Sequence, residues 1–375
     1  MNFPEFDRRR LRLYSLKERP NRTRIEEAQV KPGDIPGRAD APFLNAIREA
    51  AERIRLARQA DRPVICAFGA HSIKNGLGPV FIRLMEKGWL THLATNGAGI
   101  IHDWEFAFQG ETSEDVKANV REGKFGLWQE TGFHLNLALL LGARDGLGYG
   151  ESIGRLIAKG GHDVPRQAML LKEIARAGEG PPQALQAAAS ADLLAVLGSF
   201  GIPQGWMPVA HPWKRVSVQA AAYRLGIPFT GHPMIGHDII YTHPLNTCAA
   251  IGRTAERDFL RFAHAVSRLD GGVYLSIGSA VMSPMIFEKS FSMSRNAALQ
   301  KGLPLDRHYM MIVDLAESRW DWTRGEPPAD NPDYYLRFNK TFSRMGGTMH
   351  YLSADNRDFL TALTNALEGE EEAHA

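Results

Sequence analysis

The sequence predicts an α/β fold, a parallel sheet with helices on both faces, and three observations carry that expectation. Short apolar runs alternate with stretches of helical periodicity, the pattern of βαβ units. Small residues follow several of those runs, where an open parallel sheet places its ligands. The 375 residues are 44% hydrophobic and 23% charged, enough apolar material to bury a core.

The first forty residues are rich in Arg, Lys, Glu and Pro, as at Arg8–Arg10, Lys17–Pro20 and Pro32–Pro36, so an extended basic arm over residues 1–40 is expected. From Asp40 the pattern turns helical, with Phe43, Ile47, Ala50, Ala51 and Ile54 at three- and four-residue spacing. Strands are expected at Val64–Phe68, His92–Thr95, Leu193–Leu197, Val273–Ile277, Tyr309–Val313 and Met349–Leu352. Helices are expected at Gly78–Lys87, from there past the second strand to Val120, and near Pro165–Ala177, Arg215–Leu225 and Glu256–Leu269, while Leu137–Leu141 fits either. Thr112 or Ser113 looks like a helix cap. The α/β body then spans 41–368, and an acidic tail, 369–375, is expected to fray.

A net charge of +2 gives no field for nucleic acid or an acidic membrane, which leaves a small molecule as the expected partner. Two cysteines, Cys66 and Cys248, make no disulfide framework. No apolar leader opens the chain and nowhere do eighteen apolar residues run together, so the expected location is the cytoplasm.

The loops after the runs are Gly69–Gly76, Thr95–Gly99 and Gly278–Val281. Glycine and serine there let a ligand reach backbone amides. The usual G-x-G-x-x-G fingerprint is absent, and Gly148-Tyr-Gly-Glu-Ser-Ile-Gly154 is its nearest relation.

The order of four segments resembles deoxyhypusine synthase and homospermidine synthase, from about Val64 to the carboxyl end. They are Phe68–Gly76 with Thr95–Asp103, Gly226–Ile240, Ile277–Met285, and Asn331–Lys340 followed by Ser353-Ala-Asp355. The resemblance implies a Rossmann-like NAD-binding fold and a homo-oligomer, a tetramer in that family. It implies a transferase that oxidises an amine with NAD, holds the aminoalkyl group as an imine on Lys340, and passes it to another amine. Ser72, Asn96, Gly97, Gly278, Ser279, Asp314 and Asp355 form the cofactor set so implied, and Asp238, Asp333, Tyr334 and Phe338 the substrate set.

Several positions depart from that family: His102 stands where it has an acid, Ser283 and Pro284 where it has Lys and His, and Tyr334 where it has a glutamate. A small polyamine-type substrate is therefore expected in place of a protein lysine. An imine also needs a neutral amine, so Lys340 must have a depressed pKa, through its aromatic neighbours or through Arg337 and Arg344. Two alternatives stand beside this reading: a metal-dependent hydrolase or lyase built on His232, His237 and His243, and a non-catalytic member of the fold.

Overall fold

The computed structural model describes residues 3–374, with side chains described through Gly369. Six strands form one wholly parallel sheet: β1 (Val64–Phe68), β2 (His92–Asn96), β3 (Phe229–His232), β4 (Val273–Ile277), β5 (Tyr309–Asp314) and β6 (Thr348–Ser353). Their spatial order is β3-β2-β1-β4-β5-β6. This is the order of doubly wound α/β sheets, whose strand order reverses between β1 and β4.

Strand alternation explains how both faces come to be covered. Val64, Cys66, Phe68, Leu275 and Ile277 join one apolar cluster with the helices Ala41–Gln59 and Gly78–Glu86. Ile65, Ala67, Tyr274, Met310 and Ile312 point the other way, onto Cys248–Ser267 and Met282–Gln300. The helix Ala41–Gln59 starts as expected, with the Asp40 carboxylate accepting the Phe43 amide at 3.1 Å and all five predicted core positions buried.

Three expectations fail. Leu193–Leu197 lies inside the helix Pro181–Phe200, where Leu193, Val196 and Leu197 share a buried face at helical spacing. Strand β3 was not expected, because Phe229-Thr-Gly-His232 is short and half polar, and only pairing with β2 makes it a strand. The cap near residue 112 is Asp115, which heads the helix Val116–Arg121, while Thr112 and Ser113 lie in the strand Glu111–Glu114.

That strand pairs antiparallel with Asn21–Arg24 of the amino-terminal segment. The segment is anchored as well as extended. Leu16 is fully buried, and Arg19 is 4% exposed with its guanidinium 2.9 and 2.7 Å from the two oxygens of Glu105. At the carboxyl end one helix, Asn356–His374, continues through the stretch expected to fray, whose side chains from 370 onward lie outside the described residues. Among the described residues no helix is long and apolar enough to cross a membrane.

Candidate functional site

At the carboxyl ends of the strands, beside the reversal between β1 and β4, lies a cavity of about 190 Å³ lined by His71, Asn75, Gly278, Asp314, Asp355 and Asn356, among others. The turns after β1 and β4 meet here. Gly69 donates its amide to Ile277 at 3.0 Å, and a β-carbon on Gly69 would lie 2.0 Å from the Gly278 carbonyl oxygen. Gly278 itself has φ +56° and open space where a side chain would stand, so a ligand can approach its backbone.

Asp314 ends β5 and caps its turn by accepting the Ala316 amide at 3.1 Å. Asp355 follows β6 and accepts the Arg357 amide at 2.7 Å. The fold thus brings three of the seven expected cofactor residues, Gly278, Asp314 and Asp355, to one cavity. Ser72 is fully buried behind it and accepts from Asn356 at 3.3 Å, and Asn356 in turn accepts from Asn75 at 2.9 Å. Ser279 precedes the next helix and accepts the Ser283 amide of its first turn at 3.1 Å.

Asn96 and Gly97 belong elsewhere. Asn96 caps the helix Gly97–Gln109 through the Gly99 amide, and a β-carbon on Gly97 would lie 2.1 Å from a carboxylate oxygen of Asp238. Asp238 opens onto a second cavity of about 240 Å³, with Lys74, His102, Ser113 and Phe125 among its walls. Burial pushes the Asp238 carboxyl up to about 6, and its Oδ2 has no hydrogen-bond partner. His102 thus faces this second cavity and not the first. The short helix Ala70–Lys74 separates the two, with His71 on the first and Lys74 on the second.

The expected imine site is not formed as the chemistry requires. The Lys340 ammonium sits 3.2 Å from the centre of the Tyr334 ring and 3.0 Å from a Glu326 oxygen, and these two partners hold its pKa above that of an ordinary lysine. That is the reverse of the depression an imine-forming amine needs. Asp333 is a loop hub, with one oxygen accepting from Ser318, Arg319 and Trp320, and Phe338 packs against Tyr351. Asp333, Tyr334, Phe338 and Lys340 line neither cavity.

The histidine alternative fails on geometry. His232 is buried against the Thr230 hydroxyl at 2.9 Å, and burial pushes its pKa down to about 3. His243 is engaged by Gln129 and the Leu245 amide, while His237 is exposed. Among the described residues no three His, Cys, Asp or Glu side chains converge as metal ligands.

The glycine motif at 148–154 is a packing device. Gly148 precedes the helix Tyr149–Lys159, and the amides of Gly150 and Gly231 both donate to Asp258, at 2.9 and 2.7 Å. A β-carbon on Gly150 would lie 2.2 Å from the Phe229 carbonyl oxygen. Burial pushes the Asp258 carboxyl up to about 7. A carboxyl raised in the folded state favours folding when protonated, so this contribution is complete below about pH 4 and lost as pH rises through about 7. Stability of Asp258→Asn relative to the wild type should therefore climb by about 1.4 kcal/mol per pH unit between about pH 5 and 7. Urea midpoints measured across that range check it, and a constant difference would remove the assignment.

No family model matches the chain, and no curated protein matches it. Among solved structures, the ternary complex of AgrE with ornithine and NAD+ aligns at 16% identity and TM-score 0.44, over 90% of this chain and 34% of that one. ArgZ, an arginine dihydrolase from the ornithine-ammonia cycle in Cyanobacteria, aligns at 14% and 0.37, over 86% and 32%. A conserved putative LOR/SDH protein from Methanococcus maripaludis S2 aligns at 12% and 0.40, over 98% and 76%. The chain spans about a third of the length of AgrE and ArgZ. The resemblance to deoxyhypusine synthase finds no support from a family match. What stands is the Rossmann-like α/β fold itself, read from the six-stranded parallel sheet and its strand order.

Proposed function

We propose that the chain is an NAD-dependent enzyme acting on a small amine, with NAD bound along the carboxyl ends of β4, β5 and β6. The observation that carries this is the cavity beside the strand-order reversal, which has an open glycine turn at Gly278 and two carboxylates, Asp314 and Asp355, at neighbouring strand ends. Carboxylates so placed suit ribose hydroxyls and repel the 2′-phosphate of NADP. When bound, NAD supplies hydride acceptance. The chain's own part is to hold the nucleotide: Asp314 and Asp355 accept from its hydroxyls, and the left-handed turn at Gly278 brings backbone close to it. Lys340 has no part in this reading, because its surroundings keep it charged. AgrE has been solved with ornithine and NAD+, a pair that joins an amine to this cofactor.

The test is a calorimetric titration of NAD+ and NADP+ into the wild type, Asp314→Ala and Asp355→Ala. NAD+ should bind at least about tenfold more tightly than NADP+, and each variant should lose about tenfold or more for NAD+, as expected when a charge-assisted hydrogen bond is removed. Equal affinity in all three proteins, or no binding of either nucleotide, would sink the reading.

A further inference from the structure

The second cavity shows a charge arrangement that the cofactor reading leaves unused. Of its carboxylates, Glu105 is paired with Arg19, and Glu114 accepts from Gly126, Trp128 and Asn119. The Asp238 side chain alone has no hydrogen-bond or ion-pair partner among the described residues; its carboxylate packs against Gly97 and lines the cavity, and Oδ2 is buried without a hydrogen bond. On the same walls Lys74 has no carboxylate partner among the described residues, and the Ser113 hydroxyl is buried without a hydrogen bond.

His102 adds a defined acceptor. The Thr112 hydroxyl donates to the Glu105 carboxylate, which can only accept, so the Thr112 oxygen accepts from His102 Nδ1 at 2.7 Å. Nδ1 therefore carries the hydrogen and Nε2 keeps its lone pair. Burial pushes the His102 pKa down to about 4, which keeps the ring neutral at physiological pH. The remaining walls include Ile101, Val116, Phe125 and Ile239, which are apolar.

We propose that this cavity binds a small α-amino acid with an apolar side chain, its ammonium on Asp238 and His102 Nε2 and its carboxylate on Lys74. Asp238, beside His237, and the Lys74 ammonium face one ammonium and one carboxylate, while the oxygens of the other wall acids, Glu105 and Glu114, are already taken up by Arg19, Asn119, Gly126 and Trp128. A diamine or polyamine would bring a second cation with no free acid to meet it, and burying it unpaired is costly. The apolar walls suit an aliphatic side chain. The proposal deepens the amine-enzyme reading by naming the substrate class and rests on that reading only for what happens to the amino acid once bound.

The experiment uses L-norvaline, butylamine, pentanoate and putrescine as probes, titrated calorimetrically into the full chain with and without NAD+. Norvaline should bind the wild type, and Asp238→Asn and Lys74→Met should each weaken it about tenfold or more. Butylamine, which lacks the carboxylate, should lose affinity only in Asp238→Asn, and pentanoate, which lacks the amine, only in Lys74→Met. Lys74 is half-buried on a short helix, so its variant tests the site without disturbing the core. Absence of norvaline binding, unchanged binding in both variants, or tighter binding of putrescine than of norvaline would each overturn the proposal. NAD+ titrated into the same variants separates the two readings: loss of norvaline with NAD+ affinity kept confines the effect to this cavity. Failure of NAD+ to bind even the wild type falls on the cofactor reading.

Discussion

Replacing Arg19 with alanine is expected to cost about 3–5 kcal/mol of folding stability, because it leaves a buried carboxylate unpaired. Both partners of the Arg19–Glu105 pair are 1% exposed at the side chain, and the carboxylate also receives the Thr112 and Thr131 hydroxyls. Burial raises the Glu105 pKa, but the Arg19 charge and hydrogen bonds outweigh that and hold it below the usual carboxylate range. Without the guanidinium a desolvated anion remains with only two hydroxyls to meet it. The pair also pins the amino-terminal segment, so its loss frees the neighbouring strand Asn21–Arg24 from its hold on Glu111–Glu114. Urea unfolding measures the loss. Arg19→Met combined with Glu105→Gln should recover most of it, because no unpaired charge is left. A single variant as stable as the wild type would show that the pair contributes nothing net.

The second large effect is expected from Gly69→Ala. The new β-carbon would meet backbone on the adjoining turn, 2.0 Å from the Gly278 oxygen and 3.0 Å from its carbonyl carbon. Neither turn can retreat freely, since β1 and β4 are neighbours throughout their length and Gly69 donates to Ile277. Overpacking of this kind costs about 1–3 kcal/mol, and the displaced turn should lower NAD+ affinity about tenfold or more, beyond what one strained hydrogen bond accounts for. Gly278→Ala is the informative contrast. Nothing lies within 4 Å of its added β-carbon, so it bears only the strain of a positive φ, about 1 kcal/mol. If the two variants behave alike in unfolding and in NAD+ titration, the close approach of the turns is not what holds the site.

Five of the six sheet strands were legible because a strand buried on both faces is dominated by apolar residues, as Val64–Phe68 is throughout and Val273–Ile277 is apart from the buried Ser276. Leu193–Leu197 satisfies the same criterion and is helical. Five residues cannot reveal that a run belongs to a twenty-residue Ala-rich helix packed on a separate apolar cluster. The first cavity was legible in part: strand ends are found once strands are found, which locates Gly278, while Asp314 and Asp355 were named only through the family resemblance. Of the second cavity only Asp238 was among the expected site residues. Arg19 and Glu105 are 86 positions apart, and nothing local marks either as the other's partner. Lys74 carries no signal at all, being one lysine on one turn of helix. Lys340 shows the opposite failure, in which a plausible neighbourhood of aromatics in sequence becomes, once folded, a ring and a carboxylate that favour its charge.

The helix Ala70–Lys74 is only five residues long and is the common wall of both cavities. Asn75, just beyond it, is tied to Asn356 on the cofactor side, so Lys74 cannot be drawn toward an anion without load on that tie. If both cavities are filled as proposed, occupancy on one side of so short a wall is expected to alter affinity on the other. Thermodynamics makes such communication reciprocal: the factor by which nucleotide alters amino-acid affinity is the factor by which amino acid alters nucleotide affinity. A pair of ligands sharing this wall would bind in a preferred sequence without any domain having to move.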